Sequence, residues 1–217
     1  MVVPVDETVL DVATLSKMKS FGVETFDARV SGVEGSVFLQ DGWHVGTINI
    51  SNDKSYDQYK FKYNVLDQDI VINSDGKFYS LPGMYVESFT LEPAVNLYNE
   101  SSRKFIRKVD SDQKVYFVEV LAEGKYNLYK RFEIFRTKST YNAVLDTGSL
   151  NEKLEQRQMY ILAFEDELVE IPMKKRQFEK AFKEHREIMK FINSNDFEVS
   201  TESELVNFAN ELNTETN

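Results

Sequence analysis

Val115–Phe135 reads VYFVEVLAEGKYNLYKRFEIF. Two arms rich in Val, Tyr and Phe flank Glu123-Gly124, and such residues suit a pleated, half-buried surface. The stretch reads as a β-hairpin whose register depends on its turn. A two-residue loop pairs Ala122 with Lys125 and sets Glu119 opposite Leu128. A three-residue loop, with Gly124 in the left-handed region, pairs Leu121 with Lys125 and sets Val118 opposite Leu128 and Val120 opposite Tyr126. A slip of one residue moves every side chain to the other face. The second register separates apolar from polar better. It also gives Gly124 a purpose, because glycine reaches positive φ without steric cost.

Period-two patterning extends upstream. Trp43 to Ile50 reads as a strand after an Asp41-Gly42 turn. Tyr59, Phe61, Tyr63 and Val65 alternate with Lys60, Lys62 and Asn64, the pattern of a strand with one buried face. A Leu66-Asp67-Gln68 turn leads to a short strand at Asp69–Asn73. Asp75-Gly76 marks a hairpin into Lys77–Leu81, and Pro82-Gly83 breaks that strand. Met84–Leu91 and Arg103–Val109 follow, joined by a loop over Glu92–Ser102. Each strand meets the next through a short turn, and sequential strands usually pair. This predicts an α+β fold: an antiparallel β meander, as a curled sheet, two-sheet sandwich or open barrel, with C-terminal helices.

Three regions follow from the patterning: a β domain over 31–172, an N-terminal arm or helix over 1–30, and a helical segment over 173–217 packed on the β domain. In the first region Asp6 caps a helix over Glu7–Phe21 with a narrow stripe of Val9, Val12, Leu15 and Met18; the alternative is an extended arm. Thr137–Gln156 is polar and reads as a long loop. Arg157–Phe164 and Leu168–Pro172 read as strands. Phe178, Phe182, His185, Ile188, Met189 and Ile192 then fall on one helical stripe with a break near Lys183. Thr201-Glu202-Ser203-Glu204 is a capping box, followed by a helix to about Leu212 that buries Leu205, Phe208, Ala209 and Leu212.

Composition narrows the chemistry. The chain has 217 residues, a net charge of −10 and no cysteine. Disulfides, thiolate metal sites and Cys nucleophiles are therefore excluded, and whole-chain binding of nucleic acid through phosphate neutralisation is disfavoured. No apolar run reaches the ~20 residues of a membrane-spanning helix. The two histidines, His44 and His185, fall in different structural regions. The carboxylate pairs Asp67/Asp69 and Asp110/Asp112, and the run Glu165-Asp166-Glu167, all fall at turns, where acidic residues serve local hydrogen bonding. No G-x-S-x-G elbow and no phosphate-cradling glycine loop occurs. The reading is a non-enzyme with no cofactor and no metal.

A basic stripe stands out in this acidic chain: Lys174, Lys175, Arg176, Lys180, Lys183, Arg186 and Lys190. Glu179 and Lys183 have the favourable i, i+4 order, so part of the stripe pairs with itself. Lys174 to Arg176 fall in a first helical turn, where positive charge opposes the helix dipole. Either the helix starts later, or the cluster meets an acidic partner or anionic headgroups. Lys174, Lys175, Arg176, Lys180 and Lys183 are the candidate partner-binding residues. Tyr56, Tyr79, Tyr98, Tyr129 and Tyr141, on polar faces or in loops, are candidates for sugar or peptide contact.

Several stretches in order resemble a known group: Gly35-Ser36-Val37-Phe38-Leu39, Gly46-Thr47-Ile48, Phe61 to Ile70 (FKYNVLDQDI), Phe117 to Lys125 (FVEVLAEGK), Leu128-Tyr129-Lys130-Arg131 and Phe191 to Asn195 (FINSN). Over roughly residues 33 to 213 the chain resembles a family of uncharacterised exported β-rich proteins of Gram-negative bacteria with GSPYL-, LRYN..D- and FEVL.EGK-like motifs. Val37-Phe38 stands where that family tends to have Pro-Tyr, and Phe61-Lys62 where it has Leu-Arg. The resemblance carries no catalytic residues. It implies a periplasmic or cell-envelope location and a mature chain whose signal peptide is removed. The functional expectation is a non-enzymatic envelope protein, a subunit or accessory factor of a larger membrane-associated assembly such as an outer-membrane complex, acting through protein–protein interaction with peripheral membrane contact at most. Two alternatives stand beside it: a carrier for a lipid or small apolar ligand inside the curled sheet, and a hydrolase using two converging carboxylates.

Overall fold

The computed structural model of the chain describes residues 33–50, 54–74, 77–93, 101–137, 152–195, 197 and 199–215. The expected helix over Glu7–Phe21, the Asp75-Gly76 turn, Tyr98 and Tyr141 lie outside them. The fold is α+β, with antiparallel ladders joined by short turns and helices after the last strand. Its strands are β1 (Val33–Glu34), β2 (His44–Ile50), β3 (Lys54–Asn64), β4 (Asp69–Ser74), β5 (Lys77–Leu81), β6 (Val86–Leu91), β7 (Arg103–Val109), β8 (Val115–Ala122), β9 (Asn127–Thr137), β10 (Glu152–Phe164) and β11 (Glu167–Ile171). The helices are α1 (Lys175–Ala181), α2 (Arg186–Asn195) and α3 (Glu202–Glu215).

The described residues fall into two compact units, one drawn from within 1–116 and 133–156, the other from within 117–132 and 157–217. In the first, strands pair in the order β7-β6-β2-β3-β4-β5, all antiparallel. The alternation in β3 does what its pattern predicts: Phe61 and Tyr63 are buried. They meet Phe89 and Phe105 in a chain of ring contacts with centroids 4.7 to 5.9 Å apart. Such offset and edge-on aromatic packing adds ~0.5–1.5 kcal/mol per pair beyond area burial. Gly46 lets β2 pass close to β6, because a Cβ there would collide with the Thr90 carbonyl; β2 carries an irregularity at that point. β10 begins at Glu152, inside the stretch expected as loop. There β1 pairs with it in parallel, Val33 to Glu152 and Glu34 to Lys153, and the Arg136 guanidinium binds the Glu152 carboxylate.

In the second unit the order is β8-β9-β10-β11, and the three helices pack on these strands. Phe208 of α3 lies at the centre of a ring cluster with Phe178, Phe182, Phe191 and Phe197. The helical stripe is buried as its spacing predicts at Phe178, Phe182, Ile188 and Ile192. The break near Lys183 is real: α1 ends at Ala181 and α2 starts at Arg186. The capping box also forms, with Thr201 N–H donating to Glu204 Oε2 (2.8 Å) and Glu204 N–H to Thr201 Oγ1 (3.3 Å). Glu204 accepts from Ser200 as well, through both N–H (2.7 Å) and hydroxyl (2.9 Å).

The β8–β9 hairpin departs from both expected registers. Val118 faces Arg131, Glu119 faces Lys130, Val120 faces Tyr129 and Ala122 faces Leu128, with a bulge between Val120 and Ala122. The loop between the strands is therefore longer than either expected turn. Gly124 is not at positive φ; Gly35 is the only described glycine that is. Gly124 is required for a different reason. A Cβ there would lie 2.5 Å from the Asn213 amide. That amide pairs with the Tyr126 backbone like a missing strand: Tyr126 N–H donates to Oδ1 and Asn213 Nδ2 donates to the Tyr126 carbonyl, both at 2.8 Å.

Candidate interaction surface

The basic segment begins where β11 ends, and α1 is built from its own core contacts. Phe178 and Phe182, one turn apart, stack edge to face with centroids 5.2 Å apart and are fully buried. With that side of the helix fixed, Lys174, Arg176, Lys180 and Lys183 stand exposed. Lys183 pairs with neighbouring Glu184 at 3.3 Å, both largely exposed, which stabilises little. Among the described residues no ion pair engages Lys174, Arg176 or Lys180. The helix does not start later to spare Arg176: Lys175 and Arg176 open it, no acidic residue offsets them in the first turn, and Lys174 caps without a side-chain hydrogen bond. Four of the five candidate partner-binding side chains thus share one exposed stretch; Lys175 contributes its backbone to the helix start.

A groove of about 340 Å3 lies elsewhere in the second unit, lined by Lys125, Glu187, Lys190, Phe191, Ser194 and Glu215. The α2 residues recur at i, i+3, i+4 and i+7, which places them on one face of the helix. Glu187 accepts from Lys125 Nζ and from the Tyr126 hydroxyl, each at 3.3 Å. Its carboxylate beside Lys125 raises that ammonium's pKa, while burial raises that of Tyr126. Among the described residues no ion pair engages Lys190 or Glu215. Lys190 belongs to the basic stripe of the sequence, but only the fold joins it to Lys125 and Glu215.

A second polar cluster fastens α3. Glu202, in its first turn, accepts from Lys130 Nζ (2.6 Å) and the Tyr160 hydroxyl (2.8 Å). Lys130 is nearly buried, lies over the Phe132 and Tyr160 rings, and faces the buried Glu119 across the ladder. Burial, then the bond to Glu202 and the nearby Glu119 charge, push the Tyr160 pKa well up.

Several other candidates make local contacts. Asp110 accepts from the Asp112 and Lys114 amides, both at 2.9 Å, and shapes its own turn. Asp67 accepts from the Asn64 side chain at 2.8 Å. Asp69 accepts from the Ser80 hydroxyl (2.9 Å) and Gly83 N–H (3.2 Å), and burial raises its pKa despite those bonds. His185 lies edge-on to the Phe164 ring and 3.6 Å from Glu167. His44 belongs to the first unit; burial, then Arg103 and Lys62, depress its pKa. No group of three or more His, Asp or Glu among the described residues forms a metal-binding cluster. Tyr129, expected on a polar face, is buried instead; its neighbour Leu128 is buried too, so both faces of β9 are covered at this point.

Comparison with family models, with curated proteins and with solved structures finds no match to this chain.

Proposed function

We propose that the protein is a non-enzymatic envelope component that works by binding another protein, as a subunit or accessory factor of a larger membrane-associated assembly, with α1 as its contact. The observation that carries this is the set of exposed cations at Lys174, Arg176, Lys180 and Lys183, on and flanking a helix pinned by Phe178 and Phe182. Cations clustered in a chain of net charge −10 are matched by an acidic partner surface, and a rigid platform lowers the ordering cost of binding. Asp67, Asp69 and Asp110, among the carboxylates that a hydrolase would need, are engaged in local hydrogen bonds. The carrier alternative requires an apolar cavity, whereas the rings of Phe61, Tyr63, Phe89 and Phe105 pack against one another in the first unit. The envelope location rests on the family resemblance.

The test is recovery of the full chain from native membranes, compared with a Lys174→Glu/Lys180→Glu variant. The wild type is expected in a complex and the variant free, with the complex weakening as salt shortens the ~8 Å screening length of physiological buffer. Wild-type protein recovered only as a free monomer, or binding that survives the charge reversal, overturns the proposal. Cosedimentation with anionic vesicles in the absence of protein would count for a membrane surface instead.

A further inference from the structure

The groove of Lys125, Glu187, Lys190, Phe191, Ser194 and Glu215 stands apart from α1 and its proposed partner. Its internal charges are already matched in part: Lys125 pairs with Glu187 and the Tyr126 hydroxyl donates to the same carboxylate, each at 3.3 Å. Two charges of opposite sign are left over, the Lys190 ammonium and the Glu215 carboxylate, neither in an ion pair among the described residues. Glu215 ends α3, and the carbonyls of a helix's last turn lack intrahelical partners and carry its negative pole. This end of the groove therefore favours a cation. At Lys190 it favours an anion. Phe191 borders the groove but is spent in the core, and the Ser194 hydroxyl, which donates to the Lys190 carbonyl at 2.9 Å, keeps lone pairs to accept from a ligand.

We propose that this groove binds a small zwitterion with the termini of an α-amino acid or dipeptide, its carboxylate at Lys190 and its ammonium at Glu215 and the end of α3. A volume of about 340 Å3 is at the small end of ligand sites, which run from ~300 to 1,000 Å3, and admits a free amino acid or a dipeptide.

Calorimetric titration of the full chain tests it with four probes: alanine, alanyl-alanine, N-acetyl-alanyl-alanine and alanyl-alanine amide. Saturable binding of alanine or alanyl-alanine is expected, and which of them binds tighter separates the two sources. Blocking either terminus, or substituting Lys190→Met or Glu215→Gln, is expected to weaken binding about tenfold, the effect of one lost ion contact. Absence of saturable heat with both unblocked probes overturns the proposal. Equal affinity for blocked and unblocked peptides also overturns it, and that readout needs no variant to fold. Loss of α1-dependent complex formation would leave this result untouched, so the two proposals fail separately.

Discussion

Replacing Asn213 with Ala removes the side chain that completes the β8–β9 loop. Tyr126 is 3% exposed and Asn213 9%, so the Tyr126 N–H and carbonyl lose both partners in a nearly dry site. A buried, unsatisfied backbone group costs ~1–3 kcal/mol. Two of them, partly relieved by water entering the vacated space, give a loss of roughly 2–4 kcal/mol, a large share of a typical ~5–15 kcal/mol of folding stability. Gly124→Ala attacks the same contact from the other side. Its Cβ would lie 2.5 Å from the Asn213 amide, and overpacking of this kind costs ~1–3 kcal/mol. The two changes must not add: once Asn213 is Ala, the alanine at 124 has room, and the double variant should be more stable than the sum by about 1 kcal/mol or more. Two probes assign the effect. All three α-helices belong to the second unit and the single Trp, Trp43, to the first, so urea unfolding followed by circular dichroism should shift while tryptophan fluorescence shifts less. An Asn213→Ala change within about 0.5 kcal/mol of wild type, the range of ordinary surface substitutions, or a strictly additive cycle, refutes this reasoning.

Two further outcomes concern pH. Glu204 is held at about 2 from an ordinary 4.5, chiefly by the Ser200 amide and hydroxyl and the Thr201 amide. A depressed carboxylate contributes stability above its unfolded pKa and loses it as pH falls toward the folded one. Helix content should therefore drop between about pH 4.5 and 2, and a flat helical signal through that window in wild type, or the same drop in Glu204→Gln, contradicts the role of the cap. Tyr160 titrates upward from 10.0 in the folded chain, so its contribution is intact below about pH 10 and is lost as pH rises and the unfolded chain ionises first. Tyr160→Phe removes that alkaline sensitivity and the bond to Glu202, worth ~1.5–3 kcal/mol as a bond to a charged group; unchanged urea midpoints at neutral and alkaline pH would argue against both.

Much of the fold is legible because local chemistry dictates it. The β3 alternation, the stripe from Phe178 to Ile192 and the Thr201/Glu204 box each act over a few residues, and each forms. What is not legible depends on distant chain. The hairpin register cannot be read from its arms, because the loop is completed by Asn213, 87 residues downstream of Tyr126. Apolar segregation favoured one simple turn, and the bulge in β8 defeats that criterion. Gly124 yields space to a side chain instead of adopting positive φ. The strand start at Glu152 was hidden because its residues are polar and its pairing with Val33 is non-local. Of the candidate contact residues, Lys174 to Lys183 are visible as composition, whereas Lys125 and Glu215 join Lys190 only in the folded unit.

The division of the chain between its two units has a consequence for how it can be cut. The second unit draws its strands from 117–132 and its remaining strands and helices from 157–217, while 133–156 returns to the first. No single cleavage yields either unit as a contiguous fragment. A cut between Thr137 and Glu152 leaves one fragment holding β8 and β9 with most of the first unit, and another holding β10, β11 and all three helices. Each fragment then carries part of both units, and neither can bury the apolar face of β8 and β9 without the other. Two fragments cut there are therefore expected to depend on each other for folding, because each unit is shared between them.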